Sequence, residues 1–235
     1  VDCSDHEVNI KILLDAAVRD GELTGKQRNQ LLGEMTGEVA ALVLRDNYFQ
    51  TQSLSVSGLR GAGLLDAQAR FIRALEAAGK LNRAIEFLPA EEEIAERRAQ
   101  RLGLTAPERA VLLAYSKITL YEELLASDIP EDGYIASALE RYFPRPLRER
   151  YRGYVLAHPL RREIVATHVT NSMINRVGST FVHRMREETG ASAADVVRAY
   201  IATREVFGMV AFWQQVEALD NRVADRIQSE MLIES

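Results

Sequence analysis

At 235 residues, 47% hydrophobic and 27% charged, the chain has an ordinary globular composition and enough length to bury a substantial core. A formal charge of -5 excludes a general nucleic-acid binder, which needs a surplus of Lys and Arg over phosphate. A single cysteine excludes an intrachain disulfide, and no apolar run approaches the roughly 18–20 residues that span a bilayer. No basic region followed by an apolar stretch marks a signal peptide, so the expectation is a cytoplasmic chain with no membrane or nucleic-acid partner.

In chain order, Ser4 followed by Glu7 forms a capping box and starts a helix near 5–19. Val8, Ile10, Ile12, Leu13 and Leu14 make that helix apolar on most of its circumference, as in a segment held inside a larger body. The absent initiator Met is likewise expected of a piece of something longer. Thr24 with Gln27, Thr105 with Glu108 and Ser192 with Asp195 are further capping signals. Pro89 ahead of Glu91, Glu92 and Glu93 suits a first turn, where proline loses no hydrogen bond and carboxylates oppose the dipole. Gly79, Gly103 and Gly190 sit where C-terminal caps are expected. These signals predict an all-α assembly of about nine helices, near 5–19, 25–57, 64–78, 89–102, 106–126, 132–142, 160–189, 193–207 and 209–233. Punctuation by Gly79, Asn82 and Pro89 divides residues 1–88 from a C-terminal helical domain, 89–235, unless 1–235 is one compact unit. The stretch from Ile129 to Pro159, rich in Pro and Gly, reads as turns within the helical body because apolar and aromatic residues continue through it.

Candidate chemistry is sparse. Gly58, Gly61 and Gly63 invite a phosphate-loop reading with Arg60 as counter-charge. Their G-x-x-G-x-G spacing, however, is neither a dinucleotide fingerprint nor a P-loop, and a helix–helix turn is the simpler reading. Asn47, Thr51 and Ser55 share one helix face, either for docking or for solvent. Of His6, His158, His168 and His183, no pair has the H-x-x-x-H spacing of a helical zinc site, so no metal is expected. His168, Asn171 and Asn175 share a stripe that suits buried hydrogen bonding or exposure. Cys3 has no sequence partner that would make it a nucleophile. Arg145, Arg148, Arg150, Arg152, Arg161 and Arg162 form the one strong charge bias. Glu149 and Glu163 lie among them, so ion pairs within or between subunits are expected over RNA binding. Phe207, Met209, Val210, Phe212 and Trp213 read as a packing anchor.

Three segments carry a resemblance: residues 1–14, the string Arg45-Asp46-Asn47-Tyr48-Phe49-Gln50-Thr51 within 42–57, and His168-Val-Thr-Asn-Ser-Met-Ile-Asn-Arg-Val-Gly178. In these the chain resembles the C-terminal region of the large bacterial NAD-dependent glutamate dehydrogenases, just after their dinucleotide-binding domain. The resemblance implies oxidative deamination of L-glutamate to 2-oxoglutarate and ammonia, with hydride passing to NAD, in the full-length enzyme. It also implies that Ser4 binds the side-chain carboxylate of glutamate, since Val1 and Ser4 match the family's Val and Ser at this point. A helix N-terminus suits an anion, although Asp5 and Glu7 oppose one, and Ser4 could equally be only a cap.

The lysine and aspartate that move protons in that family, and its Gly-rich NAD loop, match nothing in this chain. No catalytic residue and no bound cofactor are therefore expected of the segment itself. Its implied partners are the upstream catalytic domain of the same chain, on which residues 1–88 would dock, and further copies in a homo-oligomer. The alternative reading is a free-standing helical module that binds another protein or an anionic ligand.

Overall fold

The computed structural model describes residues 5–234, and among them there are helices and connecting turns but no strand. The first five helices are α1 (Asp5–Arg19), α2 (Gly25–Arg60), α3 (Ala62–Ala77), α4 (Glu91–Ala99) and α5 (Ala106–Leu125). Three short ones follow, α6 (Ala138–Tyr142), α7 (Arg145–Arg150) and α8 (Arg152–Leu156). The last five are α9 (Arg161–Val177), α10 (Phe181–Thr189), α11 (Ala193–Val206), α12 (Met209–Glu217) and α13 (Asp225–Ile233).

The all-α expectation holds, and the count of about nine was approximate for physical reasons. The helix expected over 160–189 breaks at Gly178, whose φ of 81° is left-handed and ends α9. The one expected over 209–233 breaks between α12 and α13, where Asn221 takes φ 60°. The expected 132–142 helix is present only as a 3-10 turn at Ile135–Ser137 followed by α6. Within the supposed turns, Pro146 occupies the first turn of α7, a position that needs no amide hydrogen.

Local chemistry explains the ends that agree. Thr24 and Gln27 close a box, the Gln27 amide donating to Thr24 Oγ1 at 3.2 Å and the Thr24 amide to Gln27 Oε1 at 2.9 Å. Ser192 and Asp195 do the same at the start of α11. Glu108 accepts from the Thr105 amide at 2.6 Å and from Arg97 Nη1 at 2.6 Å, so one carboxylate both caps α5 and ties it to α4. Burial by itself would raise the Glu108 pKa; those hydrogen bonds outweigh it and hold the carboxyl below its ordinary range. Gly190 is the left-handed residue ending α10. Gly103 is not a left-handed cap. A Cβ there would lie 2.7 Å from the Gly61 carbonyl carbon, so glycine is required by close backbone approach at the α2–α3 turn.

Contacts group the chain into two compact units, each made of two stretches: 1–50 with 121–172, and 51–120 with 173–235. The boundaries fall inside α2, α5 and α9. This grouping is of a different kind from the linear division at 88/89, which concerns docking on an upstream domain and stays an expectation. In unit 1, α1 buries Ile10, Leu13, Leu14 and Ala17, the i, i+3, i+4, i+7 stripe of an amphipathic helix, alongside buried Phe143, Leu147 and Ile129. The core of unit 2 is centred on Leu65, Phe71, Ile72, Leu75, Ile94 and Leu112. Each fully buried side chain of this size contributes about 1.5–3 kcal/mol through removal of apolar surface from water.

Candidate functional site

Helical periodicity carries His6 onto the same face as Ile10 and Leu13, and this buries the imidazole at the start of α1. It stacks on Tyr142 of α6, with ring centroids 4.1 Å apart and planes 23° from parallel. The Tyr142 hydroxyl is fixed from both sides by α1: it donates to Asp5 Oδ2 at 3.0 Å and accepts from Asn9 Nδ2 at 2.8 Å. His158 grips the same helix from the other end of its ring. The Leu160 amide donates to His158 Nδ1 at 3.1 Å, so the ring proton must sit on Nε2, which donates to the Asn9 carbonyl at 3.1 Å. Burial lowers the His158 pKa and keeps this imidazole neutral.

Asp46 of α2 approaches this group, with Oδ2 3.7 Å from His6 Nε2. That separation is an electrostatic contact and too long for a hydrogen bond, so the two do not form an acid–base dyad. His6 Nδ1 is buried with no hydrogen-bond partner. His168 of α9 lies in the field of Asp46, Arg141, Arg45 and His6, and burial dominates that field, pushing its pKa down to about 4. Among the described residues no group of three or more His, Cys, Asp or Glu could hold a metal ion. The geometry is that of a pinned helix start: three polar contacts from α6 and from the segment before α9 fix the first turns of α1.

Ser4 and Cys3 lie outside the described residues. Asn47 is half-buried, whereas Thr51 and Ser55 of the same face are exposed. The Gly58–Gly63 segment is helix, turn and helix, with Gly61 at φ 40° and its backbone against Gly103, so it offers no open phosphate loop. The arginine stretch makes ion pairs inside unit 1: Arg145 with Glu149, Arg152 with Glu140, and Arg162 with Glu131. Arg162 also donates to the Leu125 carbonyl at 2.7 Å and so caps the C-terminus of α5 with positive charge. The packing anchor near the C-terminus needs correction. Phe207 is 73% exposed, Val210 and Phe212 are exposed too, and it is Met209 and Trp213 that turn inward to line a cavity.

Sequence reasoning missed Tyr142, Asp46 and His158 as partners of α1, because each is brought there by tertiary packing. His6 carried a usable signal, its spacing to Ile10 and Leu13.

Residues 101–235 match the family model described as glutamate dehydrogenase, C-terminal. Residues 1–57 match that of the bacterial NAD-glutamate dehydrogenase catalytic domain. The chain is 49% identical over 234 residues to an NAD-specific glutamate dehydrogenase of Halomonas elongata, covering 100% of this chain. It is 48% identical over 234 residues, again 100% of this chain, to one of Pseudomonas aeruginosa. Against one of Mycobacterium tuberculosis it is 45% identical over 224 residues, 95% of this chain. The chain spans 14% of the length of each of these relatives.

Proposed function

We propose a function from one premise: the chain belongs to the NAD-specific glutamate dehydrogenase family. It serves as the C-terminal helical region of such an enzyme, which oxidises L-glutamate with NAD in the cytoplasm. Its first 57 residues complete the catalytic domain, and the remainder supports or regulates that domain. The observation that carries this reading is a coincidence on one segment. Residues 1–57 match the catalytic-domain model, and the same stretch leaves Val8 51% and Leu44 68% exposed, apolar side chains that further protein would cover. The partners are accordingly the upstream catalytic domain of the same chain and further copies in a homo-oligomer.

NAD does not fit the described residues. They contain no strand that could precede a dinucleotide-binding turn, and their glycine cluster is a closed helix–helix turn. In this reading the catalytic and NAD-binding residues lie in the upstream part of the enzyme. The residue assigned to the substrate is Ser4, which by the family resemblance binds the glutamate side-chain carboxylate; α1, which follows it in the chain, has its first turns held by Tyr142 and His158.

The test is an assay of the intact protein that carries this chain. It is expected to reduce NAD in the presence of L-glutamate, and Val8→Glu or Leu44→Glu is expected to lower that rate severalfold without unfolding the helical region. No glutamate-dependent NAD reduction by the intact protein overturns the reading. The alternative of a free-standing interaction module is not favoured, since the chain aligns along its whole length within far longer enzymes.

A further inference from the structure

Unit 2 contains a cavity of about 330 Å³, at the small end of the range for ligand pockets (roughly 300–1,000 Å³). All its lining residues belong to that unit. The break at Gly178 opens it: α9 stops, α10 starts again at Phe181, and the gap faces the end of α2, the C-terminal half of α11 and the start of α12. Its apolar wall is formed by Val56, Leu64, Phe181, Met209, Trp213 and Ile233.

Two polar groups on this lining have no protein partner. Asn175 is only 5% exposed, and its Oδ1, an acceptor, receives no hydrogen bond. The Tyr200 hydroxyl is buried and equally unpaired. Burial pushes the Tyr200 pKa up to about 12 against the opposing pull of Arg204 and Arg176, so the phenol keeps its proton and can donate it. An unpaired buried polar group costs about 1–3 kcal/mol, so a ligand that supplies the missing partner recovers that cost.

The charges on the lining are four arginines, Arg60, Arg176, Arg184 and Arg204, with no carboxylate among the lining residues. Three of them are balanced from outside the cavity, by Glu217, Glu188 and Glu205. Arg176 is moreover locked as part of the wall, donating to Gln52 Oε1 at 3.0 Å and lying over the Trp213 ring at 4.8 Å. Arg60 has no acidic partner among the described residues, which leaves one uncompensated positive charge at the rim.

We propose that this cavity binds a small organic carboxylate with an apolar body and an uncharged N–H or O–H donor. The single uncompensated arginine and the Tyr200 hydroxyl match a monoanion. The Asn175 carbonyl takes the donor, and the Trp213 side takes the apolar body. An ammonium donor is disfavoured, because it would face four guanidinium groups with no carboxylate on the lining. The site goes beyond glutamate dehydrogenation and does not depend on it.

The experiment is calorimetric titration of the intact protein with four probes: 3-phenyllactate, 3-phenylpropionate lacking the hydroxyl, 2-phenylethanol lacking the carboxylate, and L-phenylalanine with an ammonium in place of the hydroxyl. Phenyllactate is expected to bind about tenfold or more tightly than the other three. Asn175→Leu is expected to remove most of that advantage and leave phenylpropionate unchanged, whereas Tyr200→Phe, which takes a donor from the carboxylate, is expected to weaken phenyllactate and phenylpropionate alike. Should Asn175→Leu fail to fold, the exposed Arg60→Gln replaces it and is expected to weaken both carboxylates alike. The proposal is overturned by any of three results: no binding of phenyllactate, equal binding of phenylpropionate or L-phenylalanine, or a phenyllactate affinity that none of the variants changes.

Discussion

Around α1, in unit 1, the polar side chains close on one another: the Tyr142 hydroxyl is shared between Asp5 and Asn9, and both His158 nitrogens are engaged. Around the break at Gly178, in unit 2, Asn175 and Tyr200 instead keep buried, unpaired polar atoms on residues that line a cavity bordered by arginines. Both arrangements bury polar atoms at a helix end, where backbone groups are already short of partners. The first, His6 Nδ1 apart, uses its hydrogen-bonding capacity to fix a helix and lines no part of that cavity, which suits a platform. The second keeps that capacity for something that is not protein. Burial of polar groups alone therefore does not mark a binding site; what marks one is burial without a partner beside accessible volume.

The largest effects that test this contrast concern the cores beneath the two arrangements. Leu14→Ala in unit 1 and Ile72→Ala in unit 2 remove side chains that are fully buried, and each is expected to cost about 2–5 kcal/mol in urea unfolding. If either costs less than about 1 kcal/mol, that unit is not packed as described.

Next is the pH response of unit 1. His168 has a folded pKa of about 4 against 6.5 for the free group, so the unfolded chain takes up the proton first as pH falls. Its contribution is complete above pH 6.5 and is lost as pH drops towards about 4, by roughly 2–3 kcal/mol. His158 and His183 are shifted the same way, so the readout is the difference between the wild type and His168→Gln in melting temperature across that window. A difference that stays constant with pH contradicts a neutral His168 with a lowered pKa.

A kinetic test sharpens the platform half of the comparison. If Ser4 caps the first helix, as the sequence suggests, Ser4→Asp in the full-length enzyme keeps that cap, because Asp caps about as well as Ser. Beside the glutamate side chain it sets two anions together, at a cost on the order of 2 kcal/mol, and KM for glutamate is expected to rise tenfold or more. An unchanged KM in an equally stable enzyme leaves Ser4 as a cap alone. The smallest effect expected is that of Ser192→Ala, about 1 kcal/mol in thermal unfolding, since it removes the acceptor of the capping hydrogen bond that the Asp195 amide donates. This control reads the cost of a lost cap far from α1.

What could be read in the sequence was local. Periodicity places α1 at 5–19, and the Thr24 and Ser192 boxes are formed as read, because a cap is decided by residues three apart. The break at Gly178 was hidden because the polar–apolar pattern continues through it, and only the backbone dihedral reveals the end of α9. The short helices α7 and α8 fall below the length at which pattern is informative, so their stretch reads as turns. At the candidate site, Ser4 came from resemblance and lies outside the described residues. The partners that fix α1 come from stretches remote in the chain, and Asn175 and Tyr200 likewise meet on one cavity lining from different helices. Phe207 misled for the opposite reason. An apolar run suggests packing, but composition does not say which side faces inward.

The single tautomer imposed on His158 turns the seating of α1 into something that can be watched. Its Nε2 proton is held against the Asn9 carbonyl while Nδ1 accepts from the Leu160 amide, so the ring has one orientation and one protonation pattern. In a nitrogen-detected magnetic resonance spectrum it is expected to show one protonated and one bare ring nitrogen. The lifetime of that proton against solvent exchange then reports how often the first turns of α1 lift away. Any ligand or domain that tightens this helix should lengthen the lifetime, giving a clock for the platform that needs no turnover.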